Sequence, residues 1–116
     1  MTYKLIPYGK HKINLPDVIE VVKATLSSNI AQGPRVVRFE NAIKQKVSAK
    51  YALAVNSATS ALHLACRALD LGSEDILWTT PVTFVASANC GLYCGSKIDF
   101  VDIDLTTGLI SIDALR

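Results

Sequence analysis

From residue 51 onward the chain alternates short apolar runs with helical periodicity, and this restricts the possible fold more than any other feature. Residues 51–55 (Tyr-Ala-Leu-Ala-Val) form a continuous apolar run, the pattern of a strand covered on both faces. Residues 57–70 then carry helical spacing, 75–79 reads as a second strand, 83–94 as a second helix and 97–101 as a third strand. Strand, helix, strand, helix, strand requires right-handed crossovers, so the predicted class is α/β with a mostly parallel sheet.

Two helices are predicted ahead of this unit. Leu15, Val18, Ile19, Val22 and Leu26 recur at helical spacing, with Asn14 placed to cap and Asp17 in the first turn. Pro34, suited to a first helical position, opens a helix whose Val36, Phe39, Ile43 and Val47 form one stripe. The chain thus divides into a lead-in, residues 1–34, and the start of a larger domain, 35–116. Half of the 116 residues are hydrophobic and 19% charged, with a mean hydropathy of +0.30. A compact chain of this mass keeps about 6,200 Å² of surface, which is little room for so much apolar area. No run approaches the ~18 apolar residues of a membrane helix, so a protein neighbour rather than lipid is expected to cover the excess. The helix begun at 111–116 stops within its first turn, and the expectation is a truncated chain. Charges are interspersed, with 12 basic and 10 acidic residues and no basic run, which argues against a nucleic-acid partner. No signal peptide is legible and the cysteines number three (Cys66, Cys90 and Cys94), so the expected compartment is the cytoplasm, without a disulfide framework.

In open parallel sheets ligands bind beyond the carboxyl ends of the strands. The first loop there, Asn56-Ser57-Ala58-Thr59-Ser60-Ala61, offers small residues, hydroxyls and the N–H groups of a helix start. It lacks the glycines of a Walker loop or GxGxxG, and the pattern leaves a phosphate site and a plain Ser57 cap both open. In the second loop Phe84 is either core or a ring-stacking residue, and base rates favour core. In the third, Asp102 and Asp104 end an apolar strand as Asp-x-Asp-x-Thr, which resembles the first motif of haloacid-dehalogenase-type phosphatases and suits Mg²⁺. That motif sits on the first strand in those enzymes, and the plain alternative is a pair of turn-forming acids. His63, Arg67 and Asp70 share a stripe opposite Leu62, Ala65 and Leu69, which is expected to face solvent or a subunit. Cys90 and Cys94 have poor zinc spacing and read as small core residues.

Five ordered blocks carry a family resemblance: Ile6-Pro7-Tyr8-Gly9; Ala31-Gln32-Gly33-Pro34 with Phe39-Glu40; the 56–62 loop; residues 80–89; and residues 100–104. Together they resemble the opening third of DegT/StrS-type sugar-nucleotide aminotransferases, fold-type I pyridoxal-phosphate enzymes. Among these the resemblance is greatest to the transaminases that make a UDP-linked 4-amino-4,6-dideoxy sugar on the way to pseudaminic acid. It implies that Ser57, Ala58 and Thr59 cradle the phosphate of pyridoxal 5'-phosphate and that Phe84 stacks on its ring. Tyr8, Ser28, Asn29, Ile30 and Ala31 lie toward the UDP-sugar by the same resemblance, with Ala31 standing where the family usually has Thr. The Schiff-base lysine is expected beyond Arg116, so no catalytic residue is assigned, Lys50 and Lys97 match no catalytic position, and the segment alone is expected to be inactive. The resemblance further implies a homodimer and an amino-acid donor, glutamate being usual. The alternatives are a non-catalytic remnant or binding module and a Mg²⁺ phosphatase using Asp102 and Asp104.

Overall fold

The computed structural model describes residues 5–7 and 9–116. By contact these fall into two units, Met1–Ala54 and Val55–Arg116.

The first unit holds α1 (Leu15–Thr25) and α2 (Pro34–Val47). Asn14 caps α1 through a capping box: its Oδ1 accepts the Asp17 N–H at 3.2 Å and the Asp17 carboxylate accepts the Asn14 N–H at 2.9 Å. Pro34 opens α2 as expected, and Ser48 closes it in the left-handed conformation, φ 53°. Neither helix contains a buried residue, so the apolar stripes read from the sequence remain open to solvent. What ties α2 to α1 is charge: Arg35 Nη1 lies 2.7 Å from Glu20 Oε2, and Lys23 binds the other carboxylate oxygen at 2.8 Å. By contact α2 belongs to the same unit as α1.

Residues 51–55, expected as a strand, enter no ladder. The Ala54 N–H instead donates to Glu40 Oε1 on α2 at 2.9 Å, and no other segment among the described residues offers this run a strand edge. An apolar run specifies a strand only where a neighbour supplies the other half of the hydrogen bonds.

The second unit follows the predicted α/β order. α3 (Ala58–Ala68) leads to β1 (Ile76–Thr79), then α4 (Ala86–Tyr93) and β2 (Lys97–Phe100). The two strands pair in parallel, with Ile76 opposite Lys97 and Thr79 opposite Phe100. α4 packs on both strands and on α3. Gly91 makes that approach possible: a Cβ there would lie 2.6 Å from Ile98 Cδ1 and 2.8 Å from Leu77 Cδ2. The core consists of Cys66, Ala86, Cys90 and Val101, with the Ser96 hydroxyl buried beside Gly91 and unpartnered. Beyond β2 an isolated bridge joins Ile103 to Ile110, and α5 (Ile112–Leu115) follows.

The α3 stripe expected to face solvent or a subunit is exposed at Arg67 and Asp70 but not at His63. His63 is half-buried and meets Tyr93 edge-on, ring centroids 5.4 Å apart, while Leu69 is 82% exposed. The His63–Tyr93 contact thus lies at the α3–α4 seam, where α4 offers a small-residue surface (Ala-Ser-Ala-Asn-Cys-Gly). Burial pushes the Cys66 thiol up to about 11, reinforced by a hydrogen bond with Cys90. Among the described residues no three ligating side chains converge for a metal, and no helix is long and apolar enough to cross a membrane.

Candidate cofactor and substrate site

The loop before α3 is organised by its own hydroxyls. Ser57 is extended (φ −157°, ψ 157°), and its Oγ accepts the Ser60 N–H at 3.2 Å, which makes it the N-cap. Ser60 Oγ donates to Asn56 Oδ1 at 2.8 Å and sits 3.0 Å from Ser57 Oγ. The Ser57 hydroxyl is thus committed to the helix. The N–H groups of Ala58 and Thr59 and the Thr59 hydroxyl keep no partner among the described residues. No carboxylate occurs from residue 56 to 61. Small side chains, free N–H groups at the start of an 11-residue helix and the absence of negative charge fit a phosphate.

Phe84 stands in the turn between β1 and α4. Its carbonyl accepts the Ser87 N–H at 3.0 Å, so α4 starts at Ala86 and not at 83 as the sequence suggested. Thr83 Oγ1 lies 3.2 Å from Ser87 Oγ across this entry. Phe84 is 71% exposed, so it is not part of the core of this unit and the turn holds it clear of the α4–sheet packing. Both Phe84 and the 57–59 loop belong to the second unit, at the entrances of the two helices that pack together. No hydrogen bond among the described residues joins them directly.

The expected substrate loop lies in the first unit. Ser28, Asn29, Ile30 and Ala31 are all exposed, and Tyr8 lies outside the described residues. The loop is folded, not slack. Ser27 Oγ donates to the Ala24 carbonyl at 2.6 Å, and Gly33 is buried so closely on Asn29 that a Cβ would meet both Asn29 Cβ and its carbonyl oxygen at 2.9 Å. Sequence reasoning passed over Arg35 and Arg38, which border this loop from the first turns of α2. Their i, i+3 spacing directly after the loop was the available signal.

The Asp-x-Asp motif resolves into turn chemistry. Asp102 Oδ1 accepts the Ile103 N–H at 2.8 Å. Asp104 Oδ1 accepts the N–H groups of Thr106 (3.0 Å) and Thr107 (2.8 Å) and the Thr107 hydroxyl (3.0 Å). The Thr107 N–H above all, then its hydroxyl and the Thr106 N–H, hold the Asp104 carboxyl below the usual range. Asp104 Oδ1 thus closes the turn that bridges Ile103 to Ile110, while Oδ2 accepts no hydrogen bond among the described residues.

This architecture is that of the sugar aminotransferases. A putative sugar aminotransferase of Streptococcus pneumoniae, Spr1654, in its PLP form superposes with a TM-score of 0.85 at 29% identity, covering 95% of this chain and 28% of that one. Its PMP form superposes equally well, so the cofactor expected from the sequence is the one this neighbour carries. The chain belongs to the DegT/DnrJ/EryC1/StrS aminotransferase family, whose profile matches residues 13–116. A Campylobacter jejuni UDP-4-amino-4,6-dideoxy-N-acetyl-beta-L-altrosamine transaminase is 41% identical over 99 residues, which is 85% of this chain and 26% of that protein. The Bacillus subtilis spore coat polysaccharide biosynthesis protein SpsC is 37% identical over 111 residues, 96% of this chain and 28% of that protein. The chain therefore spans roughly a quarter of the length of these curated relatives.

Proposed function

We propose that this chain is the N-terminal part of a pyridoxal-phosphate-dependent sugar-nucleotide aminotransferase. The amino group passes from an amino acid, glutamate, to the keto carbon of a 4-keto-6-deoxy UDP-sugar, giving a keto acid and an amino sugar for cell-surface polysaccharide of the pseudaminic acid type. The observation that carries this reading is the loop capped by Ser57, with free N–H groups at Ala58 and Thr59, in a chain of this family.

Bound pyridoxal phosphate supplies the electron sink that transamination requires. The residues of this chain do the holding. The Ala58 and Thr59 N–H groups and the Thr59 hydroxyl receive the phosphate. Ser57 acts through its cap, keeping those groups at the helix entrance, and Ser60 and Asn56 hold Ser57 in place. Phe84 covers one face of the ring. Ser28, Asn29, Ile30 and Ala31 meet the sugar nucleotide, and Tyr8 joins them by the resemblance. The lysine that carries the cofactor in this family lies beyond Arg116 by the same resemblance, so these 116 residues alone are inactive. The working enzyme is a cytoplasmic homodimer in this reading, and its partner subunit covers apolar surface that α1 and α2 leave open.

The test is the visible spectrum of the full-length protein before and after borohydride. The expected result is a yellow protein that loses its colour on reduction. A colourless protein that pyridoxal phosphate does not change overturns the reading and leaves Ser57 as a helix cap alone. Thr59→Ala should weaken pyridoxal phosphate by roughly tenfold while leaving pyridoxal, which has no phosphate, unaffected.

A further inference from the structure

Between the 27–33 loop and the first turns of α2 lies a hollow of about 200 Å³ lined by Ser27, Ser28, Asn29, Pro34, Arg35 and Arg38. No carboxylate lines it. The acid paired with Arg35, Glu20, is shared with Lys23, and these two cations hold its carboxyl down to about 2, Lys23 having the larger effect. One carboxylate against two cations leaves positive charge over, and Arg38 adds a further guanidinium that has no ion pair among the described residues. Ser27 is committed, donating to the Ala24 and Asn29 carbonyls. The Ser28 hydroxyl and the Asn29 side-chain amide have no hydrogen-bond partner among the described residues. Uncommitted donors and uncompensated positive charge thus border one small concavity, all within the first unit.

We propose that this hollow is an oxyanion subsite that takes the diphosphate of the nucleotide-linked substrate, with Arg38 as its binding cation and Ser28 and Asn29 as orienting donors. The proposal rests on the sugar-nucleotide reading above and extends it to residues outside the 28–31 loop. Size supports a diphosphate: sites for drug-sized ligands run to ~300–1,000 Å³, and this one is smaller. The nucleoside and the sugar must then lie outside it. Chemistry supports it too. Guanidinium groups match phosphate oxygens in pairs, and two of them three residues apart on a helix suit a group bearing more than one negative charge. Relatives named for UDP-sugars and for GDP-perosamine have the nucleotide diphosphate in common across two different bases. An amino-acid carboxylate is the other oxyanion the site could meet, and the test separates the two.

The experiment uses the full-length protein loaded with pyridoxal phosphate. Binding of UDP and of uridine is measured by calorimetry, and the response to glutamate by the cofactor's visible spectrum. Loss of one charge-assisted contact in Arg38→Ala should weaken UDP by roughly 10–100-fold. Uridine binding and the glutamate concentration dependence should stay as in the parent protein, Arg38→Lys should fall between, and added salt should weaken UDP more in the parent than in Arg38→Ala. Unchanged UDP binding in Arg38→Ala overturns the proposal. So does a loss confined to glutamate, which assigns the hollow to a carboxylate, or an equal loss for uridine, which makes Arg38 merely structural. A parent protein that takes up the cofactor but does not bind UDP defeats this proposal and leaves the aminotransferase reading standing. A parent that takes up no cofactor defeats the reading, and the subsite with it.

Discussion

The two units of this chain are stabilised in different ways. In the first, α1 and α2 are delimited by signals within a few residues of their ends: a capping box at Asn14 and Asp17, Pro34 at a helix start, a left-handed Ser48 at a helix end. Neither helix buries a residue, and an exposed ion cluster on Glu20 ties them together. In the second unit, α4 has no side-chain cap and starts three residues later than its sequence suggests, yet it is the element around which α3, β1 and β2 assemble. Local chemistry defines the first unit, and close packing defines the second. The proposed cofactor cradle stands on the packed unit and the proposed substrate loop on the locally defined one.

The contrast can be broken most severely at Gly91. Gly91→Val should cost the second unit about 1–3 kcal/mol or more by denaturant unfolding, because even a Cβ falls 2.6 Å from Ile98 and the extra methyls overfill the seam. An unchanged midpoint would mean that α4 does not lie on the sheet as described. Next comes Gly33→Ala, for which about 1–2 kcal/mol is expected because the obstacle includes the Asn29 carbonyl oxygen at 2.9 Å, backbone that cannot rotate away. Its loss should appear as faster amide exchange in the 27–33 loop, with the second unit unaffected. Asn14→Ala removes the capping box and should cost about 1 kcal/mol, read as fraying of the first turn of α1.

Two smaller effects concern titration. Glu20 is exposed and its carboxyl is held down to about 2. Its ion cluster therefore contributes fully above the ordinary carboxylate range, and the contribution fades as pH falls from about 4.5 toward 2. Amide exchange along α1 and α2 should rise over that interval, and added salt should shrink the effect. Cys66, raised to about 11, should resist alkylation at pH 8, while half-buried Cys94 reacts first. Labelling in the reverse order would contradict the α3–α4 seam.

Much of this molecule is legible in one dimension. Pro34 and the capping residues define helix starts because their hydrogen bonds close within a turn, and Ser57 is readable as a cap for the same reason. The parallel order of β1 and β2 follows from the strand–helix–strand alternation. Residues 51–55 pair with no strand among the described residues, where the Ala54 N–H donates to Glu40, because an apolar run does not itself supply the neighbouring edge. The α3 stripe expected to face solvent is exposed at Arg67 and Asp70, but His63 is half-buried beside Tyr93, because a small-residue helix lets that ring approach.

The same boundary divides the candidate site. The sequence by itself determined the α/β order, the helix caps, the hydroxyl-rich loop before α3 and, through its ordered blocks, the family. Tertiary structure alone decided that Phe84 stands clear of the core, that Asp104 Oδ1 closes a turn, and that Arg38 borders the 27–33 loop without an ion pair among the described residues. The physical reason is range. Caps and periodicity act over a turn or two of chain, whereas exposure and charge compensation depend on groups that only the fold brings near.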